Sequence, residues 1–248
     1  MSEKILPVWK EVFPIRYAEV TREETVRLDT LFDYMQETAA NHATNLGCGL
    51  AALNDRGMMW VLSRLKLSVL RTPRLGETVT VESWPSGVEK LFATREFGLS
   101  CGSEIVAKAS SYWLLLDRGK LRPLRVLDAL AGLLPDNRER GRFFTGLDKL
   151  SRRPCSSPIK VEVHESMVDV NCHMNNARWH CGWTVCPRFG KFRRILSPEP
   201  LRAAVFPSPA VLPEVPGMSR SPWQVSRTSR QRCANNNNSA GRYSTSSL

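Results

Sequence analysis

Residues 29–46, DTLFDYMQETAANHATNL, decide the fold. With Leu28 in front, Leu31, Phe32, Met35 and Ala39 recur at three- and four-residue spacing and make one apolar stripe along a helix. Asp29 or Thr30 is placed to cap its start, and Gly47 to end it in the left-handed conformation. Ala39, Ala40 and Ala43 would let another element approach closely. Beyond the helix the period changes. Residues 58–70, MMWVLSRLKLSVL, alternate from Trp60 through Leu62, Leu65, Leu67 and Val69. Residues 78–84 alternate around Val79 and Val81, and residues 91–99 and 104–116 are two more strand-like runs. Turn chemistry separates them at residues 71–76, at Pro85-Ser86-Gly87 and at Cys101-Gly102-Ser103. Upstream, residues 8–20 alternate through Val12, Ile15 and Tyr17. One helix followed by four long antiparallel strands predicts a sheet curled around a single helix.

Residues 120–157 lose this periodicity apart from a Leu-rich stretch near 124–134, and read as a connection between domains. Residues 158–164, PIKVEVH, restart a strand, and HESMVDVNCHMNNARW at 164–179 leads toward a second helix. The recurring order of strand, polar turn and helix start points to an internal duplication. From residue 180 onward neither period is visible. Residues 180–248 hold eight of the sixteen prolines, ten serines, and ten basic against two acidic residues. Such a segment lacks the apolar periodicity to offset ordering entropy, so a largely disordered tail is expected there.

The chain has 248 residues, 28.0 kDa, 42% hydrophobic and 24% charged residues, and a mean hydropathy of −0.28. This is a globular profile, not a disordered or collagen-like one. No apolar run approaches the roughly 18–20 residues of a membrane span. The N-terminal MSEKILPVWKEVFPIRYAEV has no secretory apolar region and is acidic for a transit peptide, so a cytoplasmic protein is expected. The net charge of +11 suggests nucleic acid, but residues 1–150 carry 21 basic and 19 acidic groups; the excess lies in the tail, which weighs against that class. Seven cysteines at irregular spacing suit reduced thiols better than disulfides. Cys172, His173, His180, Cys181 and Cys186 match no standard zinc spacing, and neither metal nor cofactor is expected.

Taken together, LFDYMQETAANHATNLG, MMWVLSRLKL, TVTVESWP, ATREFGL, VAKASSYWLLLD, RPLRVLD and VDVNCHMNNARW resemble acyl-acyl-carrier-protein (acyl-ACP) thioesterases, in order and across residues 8–179. The resemblance implies an α+β tandem hotdog, each unit a curved antiparallel sheet wrapped on a long helix, with the first unit complete and the second truncated. Residues 1–135 would be the first hotdog with its acyl channel, 136–157 a linker, 158–179 the start of the second hotdog with the catalytic loop, and 180–248 the tail. It implies a hydrolase of fatty acid biosynthesis that releases free fatty acid and carrier protein from acyl-ACP without a cofactor. The acidic carrier is the implied partner; the basic runs Arg118-Lys120-Arg122-Arg125 and Arg138-Arg140-Arg142 either steer it or are solvated loops.

Asp169, Asn171 and His173 stand two residues apart, a spacing that puts three side chains on one side of an extended segment. A thioester hydrolase needs a group to activate water and donors for the oxyanion. By resemblance this D-x-N-x-H pattern is the catalytic signature: Asp169 orients or polarises, Asn171 positions substrate or water, and His173 transfers protons. The bland alternative is that Asp169 and Asn171 cap the helix and His173 packs. Asn175 and Asn176 are read as shaping the helix start, Asn41 and His42 as a polar helix flank, and Cys48 and Cys101 as small buried residues. Met58, Met59 and Trp60 either line an acyl pocket or pack in the core. The resemblance also implies an acidic residue after the second helix; Glu199 and Glu214 stand beside prolines in the tail and neither is assigned. The resemblance stops near Trp179, inside an expected helix, so a shifted or replaced reading frame is expected beyond it. A non-catalytic hotdog remnant that binds acyl chains or partners is the alternative function.

Overall fold

The computed structural model describes residues 5–147, 164–169 and 175–178, with the backbone of residues 204–207. Strand β1 is Trp9–Pro14. Helix α1, Leu28–Asn45, and the short α2, Leu50–Asp55, come next. Four strands succeed them, β2 (Met58–Val69), β3 (Thr78–Glu89), β4 (Phe92–Cys101) and β5 (Glu104–Asp117), then a single helical turn, α3 (Val126–Ala129). A short strand β6, Ala204–Pro207, completes an antiparallel sheet in the order β1-β3-β4-β5-β2-β6.

The apolar stripe of α1 meets the sheet as its spacing requires. Leu31, Phe32, Met35 and Ala39 pack with Leu65, Leu67, Val79, Val81, Phe97 and Leu99 in the main core. Leu31, Met35, Phe97 and Leu99 are each at most 1% exposed, so burial of each contributes roughly 1.5–3 kcal/mol. Of the three small residues, Ala39 and Ala43 are buried and Ala40 faces solvent. Gly47 ends the helix with φ of 72°, as expected of the left-handed stop. Its start differs from expectation. The helix begins at Leu28, with Arg27 in the cap position and no side-chain cap. Asp29 and Thr30 therefore lie inside the first turn, where Thr30 donates to the Glu19 carbonyl at 3.3 Å.

Two irregularities in the sheet have visible causes. In β2 the apolar phase slips between Leu62 and Leu65, and a bulge sits there, between Leu62 and Arg64. Pro85-Ser86-Gly87 does not turn the chain: β3 runs through it with a bulge, and the reversal falls at Lys90, whose φ is 57°. The pairing of β1 with β3 ends at Trp9 and Ser83, so Pro85 lies where β3 has only β4 beside it. A proline there removes no ladder bond toward β1, and Gly87, with φ of 137°, takes up the bulge.

The segment after β5 is more than a connection. Val126 and Leu130 are buried in a second core cluster with Leu46, Cys48, Leu53 and Leu115. Residues 137–147 then form a strap across the sheet face opposite α1. Phe143 and Phe144 donate backbone N–H groups to Glu96 (3.0 Å) and Ser110 (3.1 Å). Leu147 donates to the Tyr112 hydroxyl at 3.4 Å and its carbonyl accepts from Arg64 at 2.7 Å. Part of the expected linker 136–157 thus belongs to the first unit's packing, while residues 148–157 lie outside the described residues. Of residues 180–248, the described part is β6, which pairs with residues 64–67 of β2.

Candidate active site

The first unit presents a charged cluster where β1 leads into α1. Glu19, 8% exposed, accepts from the Arg16 backbone N–H (2.8 Å), the Arg16 guanidinium (2.9 Å to Nε) and the Tyr34 hydroxyl (2.8 Å). Burial acts to raise the Glu19 carboxyl, but these hydrogen bonds outweigh it and hold it below the usual carboxylate range. Burial and the Glu19 carboxylate together push the Tyr34 phenol well above its ordinary value. In the first turn of α1, Asp29 is 5% exposed and accepts from Arg27 Nε at 3.2 Å.

The start of the second unit sits against this cluster. A 3-10 turn at Glu165–Met167 leads into Val168 and the half-buried Asp169. The Asn175 N–H donates to the Met167 carbonyl at 2.8 Å, tying together the two ends of the segment that carries Asp169, Asn171 and His173. A helix begins at residue 176, and the Asn175 side chain accepts from the Ala177 N–H at 2.8 Å. Asn175 thus has the helix-start role expected of it. Ala177 is fully buried in the main core beside α1. Arg178 reaches back with Nη1 3.0 Å from Asp29 and Nη2 3.2 Å from Asp33. Burial raises the Asp33 carboxyl; the Arg178 charge opposes that rise and the Asp29 charge adds to it.

Of the three expected catalytic residues, the structure places Asp169; Asn171 and His173 lie outside the described residues, as do His180 and the cysteines from Cys155 onward. Among the described residues, no group of His, Cys, Asp and Glu is placed to hold a metal, and no helix is long and apolar enough to cross a membrane. His42 is not a flank residue. It is fully buried, its Nε2–H bonds the Leu6 carbonyl at 2.8 Å, and its Nδ1 accepts from Arg95 at 3.1 Å. Burial and the Arg95 charge pull its pKa down to about 4. Asn41, by contrast, does lie on the flank and bonds Glu11 at 2.6 Å. Met58 and Trp60 face the second core cluster, with Trp60 donating to the Cys48 carbonyl at 3.1 Å, whereas Met59 lies with Val61 in a third cluster. Sequence reasoning missed Arg178 and its two aspartates. The one signal in the sequence is the i, i+4 spacing of Asp29 and Asp33, which repel on one helix face unless a cation joins them.

An antiparallel sheet packed on one long central helix, followed by the start of a second unit docked at that helix, defines a hotdog protein. Residues 7–133 match the acyl-ACP thioesterase N-terminal domain, and the chain belongs to that family. It is 27% identical over 196 residues to a chloroplastic palmitoyl-acyl carrier protein thioesterase of Gossypium hirsutum, covering 71% of this chain and 46% of that one. It is 25% identical to oleoyl-acyl carrier protein thioesterase 1 of Arabidopsis thaliana, covering 71% and 54%. The chain thus spans about half the length of the curated relatives it matches. Among solved structures it resembles the 12:0-ACP thioesterase of Umbellularia californica (TM-score 0.58, 25% identity, 70% and 72% covered). It shares the fold of an acyl-ACP thioesterase from Bacteroides thetaiotaomicron (TM-score 0.59, 23% identity, 73% and 74% covered).

Proposed function

We propose that this chain hydrolyses fatty acyl-ACP thioesters, adding water across the acyl–sulfur bond to give a free fatty acid and the carrier thiol. The observation that carries the reading is that the D-x-N-x-H segment is bracketed by the Met167–Asn175 hydrogen bond and followed by Ala177 and Arg178, which meet α1 of a family-typical first unit. In this reading Asp169 orients or polarises, Asn171 positions substrate or water, and His173 moves the proton. No cofactor enters. The acidic carrier docks through Arg118, Lys120, Arg122 and Arg125, all exposed. The second basic run is less suited, because Arg138 pairs with Asp136 at 2.6 Å and Arg142 with Glu89 at 3.0 Å. A cytoplasmic setting is part of the same proposal, open to test by fractionating cells that express the chain from its own gene.

The test is release of free fatty acid from palmitoyl- and oleoyl-ACP by the purified full chain. Asp169→Ala and His173→Ala should each lower kcat by roughly 10²–10⁴-fold with the fold retained. Unchanged rates in both would remove the assignment. An inactive wild-type chain that still binds acyl-ACP would instead favour the non-catalytic remnant. Translating the coding DNA past codon 179 in the other frames tests the expected frame change. A helix followed by alternating strands would support it.

A further inference from the structure

We infer that Arg178 is a positioning residue: clamped between Asp29 and Asp33 on successive turns of α1, it locks the helix that comes after the Asp169–Asn171–His173 segment to the first unit. The inference rests on the thioesterase reading above, because it assigns that segment its purpose. Three independent observations converge on residues 175–178. Asn175 closes the segment by its N–H to Met167 and caps the following turn through its side chain. Ala177 is fully buried among residues of the first unit. Arg178 then places one guanidinium nitrogen on each aspartate, at 3.0 and 3.2 Å, across 149 and 145 residues of sequence.

The chemistry favours a lock over an incidental surface pair. The Asp29 side chain is 4% exposed and Asp33 34%, so these are not two solvated carboxylates meeting a passing cation. Asp29 and Asp33 stand at i and i+4, where like charges repel. Arg27 pairs directly with Asp29 and acts on Asp33 only through its charge. Arg178 is the cation that bridges both, and a planar guanidinium can do so with two separate N–H donors where an ammonium offers a single point charge. Ala177 sets the depth of the helix start and Arg178 its rotation about α1. Asn175, whose N–H bonds Met167 ahead of Asp169, is held with them. A shift of about 1 Å at such a segment is enough to cost roughly 10²-fold in rate.

The test uses the full chain with Arg178→Met, which keeps the aliphatic stem, Arg178→Lys, and Asp29→Asn/Asp33→Asn. Amide hydrogen exchange reads residues 164–178 against β3–β5, and steady-state kinetics on palmitoyl-ACP reads kcat apart from KM. Arg178→Met and the double aspartate variant should each speed exchange in 164–178 at least tenfold while β3–β5 keep their protection. They should lower kcat at least tenfold with KM within about twofold, and Arg178→Lys should fall between them and wild type. Unchanged exchange in 164–178, or an equal rise throughout the sheet, would overturn the inference. An inactive wild-type chain would overturn the thioesterase reading alone, and exchange would still decide the lock.

Discussion

Arg95 and Glu96 are neighbours in β4, point to opposite faces of the same sheet, and are both buried, yet the two faces treat charge in different ways. On the α1 side, Arg95 is 9% exposed and bonds only neutral groups, His42 Nδ1 at 3.1 Å and Ser83 at 3.0 Å. It forms no ion pair among the described residues, and burial pulls it down to about 10. On the strap side, Glu96 is fully buried and accepts from Ser86 (2.8 Å), from Ser110 and from the Phe143 N–H (3.0 Å), with Arg142 at 3.6 Å. Around Arg95 the α1 face is stabilised chiefly by apolar packing. The strap face is stabilised by a polar network centred on Glu96. A buried charge with its hydrogen bonds satisfied is strongly coupled to its donors, whereas removing an arginine among neutral partners relieves a buried charge while orphaning His42 Nδ1 and the Ser83 hydroxyl.

The largest expected effect comes from removing the strap. A chain ending at residue 147 should unfold cooperatively in urea, and one ending at residue 135 should lose roughly 4 kcal/mol or more. The shorter chain forfeits the Phe143, Phe144 and Leu147 hydrogen bonds and uncovers Trp84, which meets Phe143 edge-on at 5.4 Å. Equal midpoints would show that the strap is ornamental and the two faces alike. Next in size is the pair of point variants. Glu96→Gln, which sets an amide against donor groups, should cost roughly 3 kcal/mol. Arg95→Met, which removes a buried charge but leaves His42 Nδ1 and Ser83 without their donor, should cost less, roughly 1–2 kcal/mol. The comparison of the two faces breaks if the order reverses.

These differences also mark what the sequence made legible. The stripe of α1, the strand alternation and the Gly47 stop survive because each rests on a local period or a single backbone conformation. Pro85-Ser86-Gly87 misled because a proline signals the absence of a ladder partner, and only the sheet order reveals that β1 ends before it. The strap was invisible because backbone N–H groups of Phe143, Phe144 and Leu147 satisfy buried partners far away in sequence, and backbone donors leave no pattern in residues 137–147. For the site, the D-x-N-x-H pattern was readable as a motif and Asn175 as a helix start. Arg178 was not, because its meaning depends on aspartates some 145 residues earlier. His42 was misplaced for a related reason: a histidine beside Asn41 on a helix looks like a polar edge until the Arg95 guanidinium and the Leu6 carbonyl are seen to occupy both ring nitrogens.

That histidine supplies the smallest of the three effects and the sharpest probe of the α1 face. With Nε2–H bound to Leu6 and Nδ1 accepting from Arg95, His42 is held neutral, and Trp9 stacks on it at 5.9 Å. Protonation would set a second positive charge beside Arg95, with no carboxylate bonded to either among the described residues. The folded value of about 4 lies below the ordinary 6.5, so between these values the unfolded chain binds more protons than the folded one. The stabilisation is therefore complete above pH 6.5 and is lost as pH falls toward 4. At pH 5 the loss should be roughly 2 kcal/mol relative to pH 8. Urea unfolding of wild type and His42→Gln at both pH values isolates it, since carboxylates common to the two proteins cancel in the difference. The stability gap between the proteins should shrink by about that amount on acidification. A gap that stays constant would mean that His42 titrates near its ordinary value, and that the α1 face handles charge much as the strap face does.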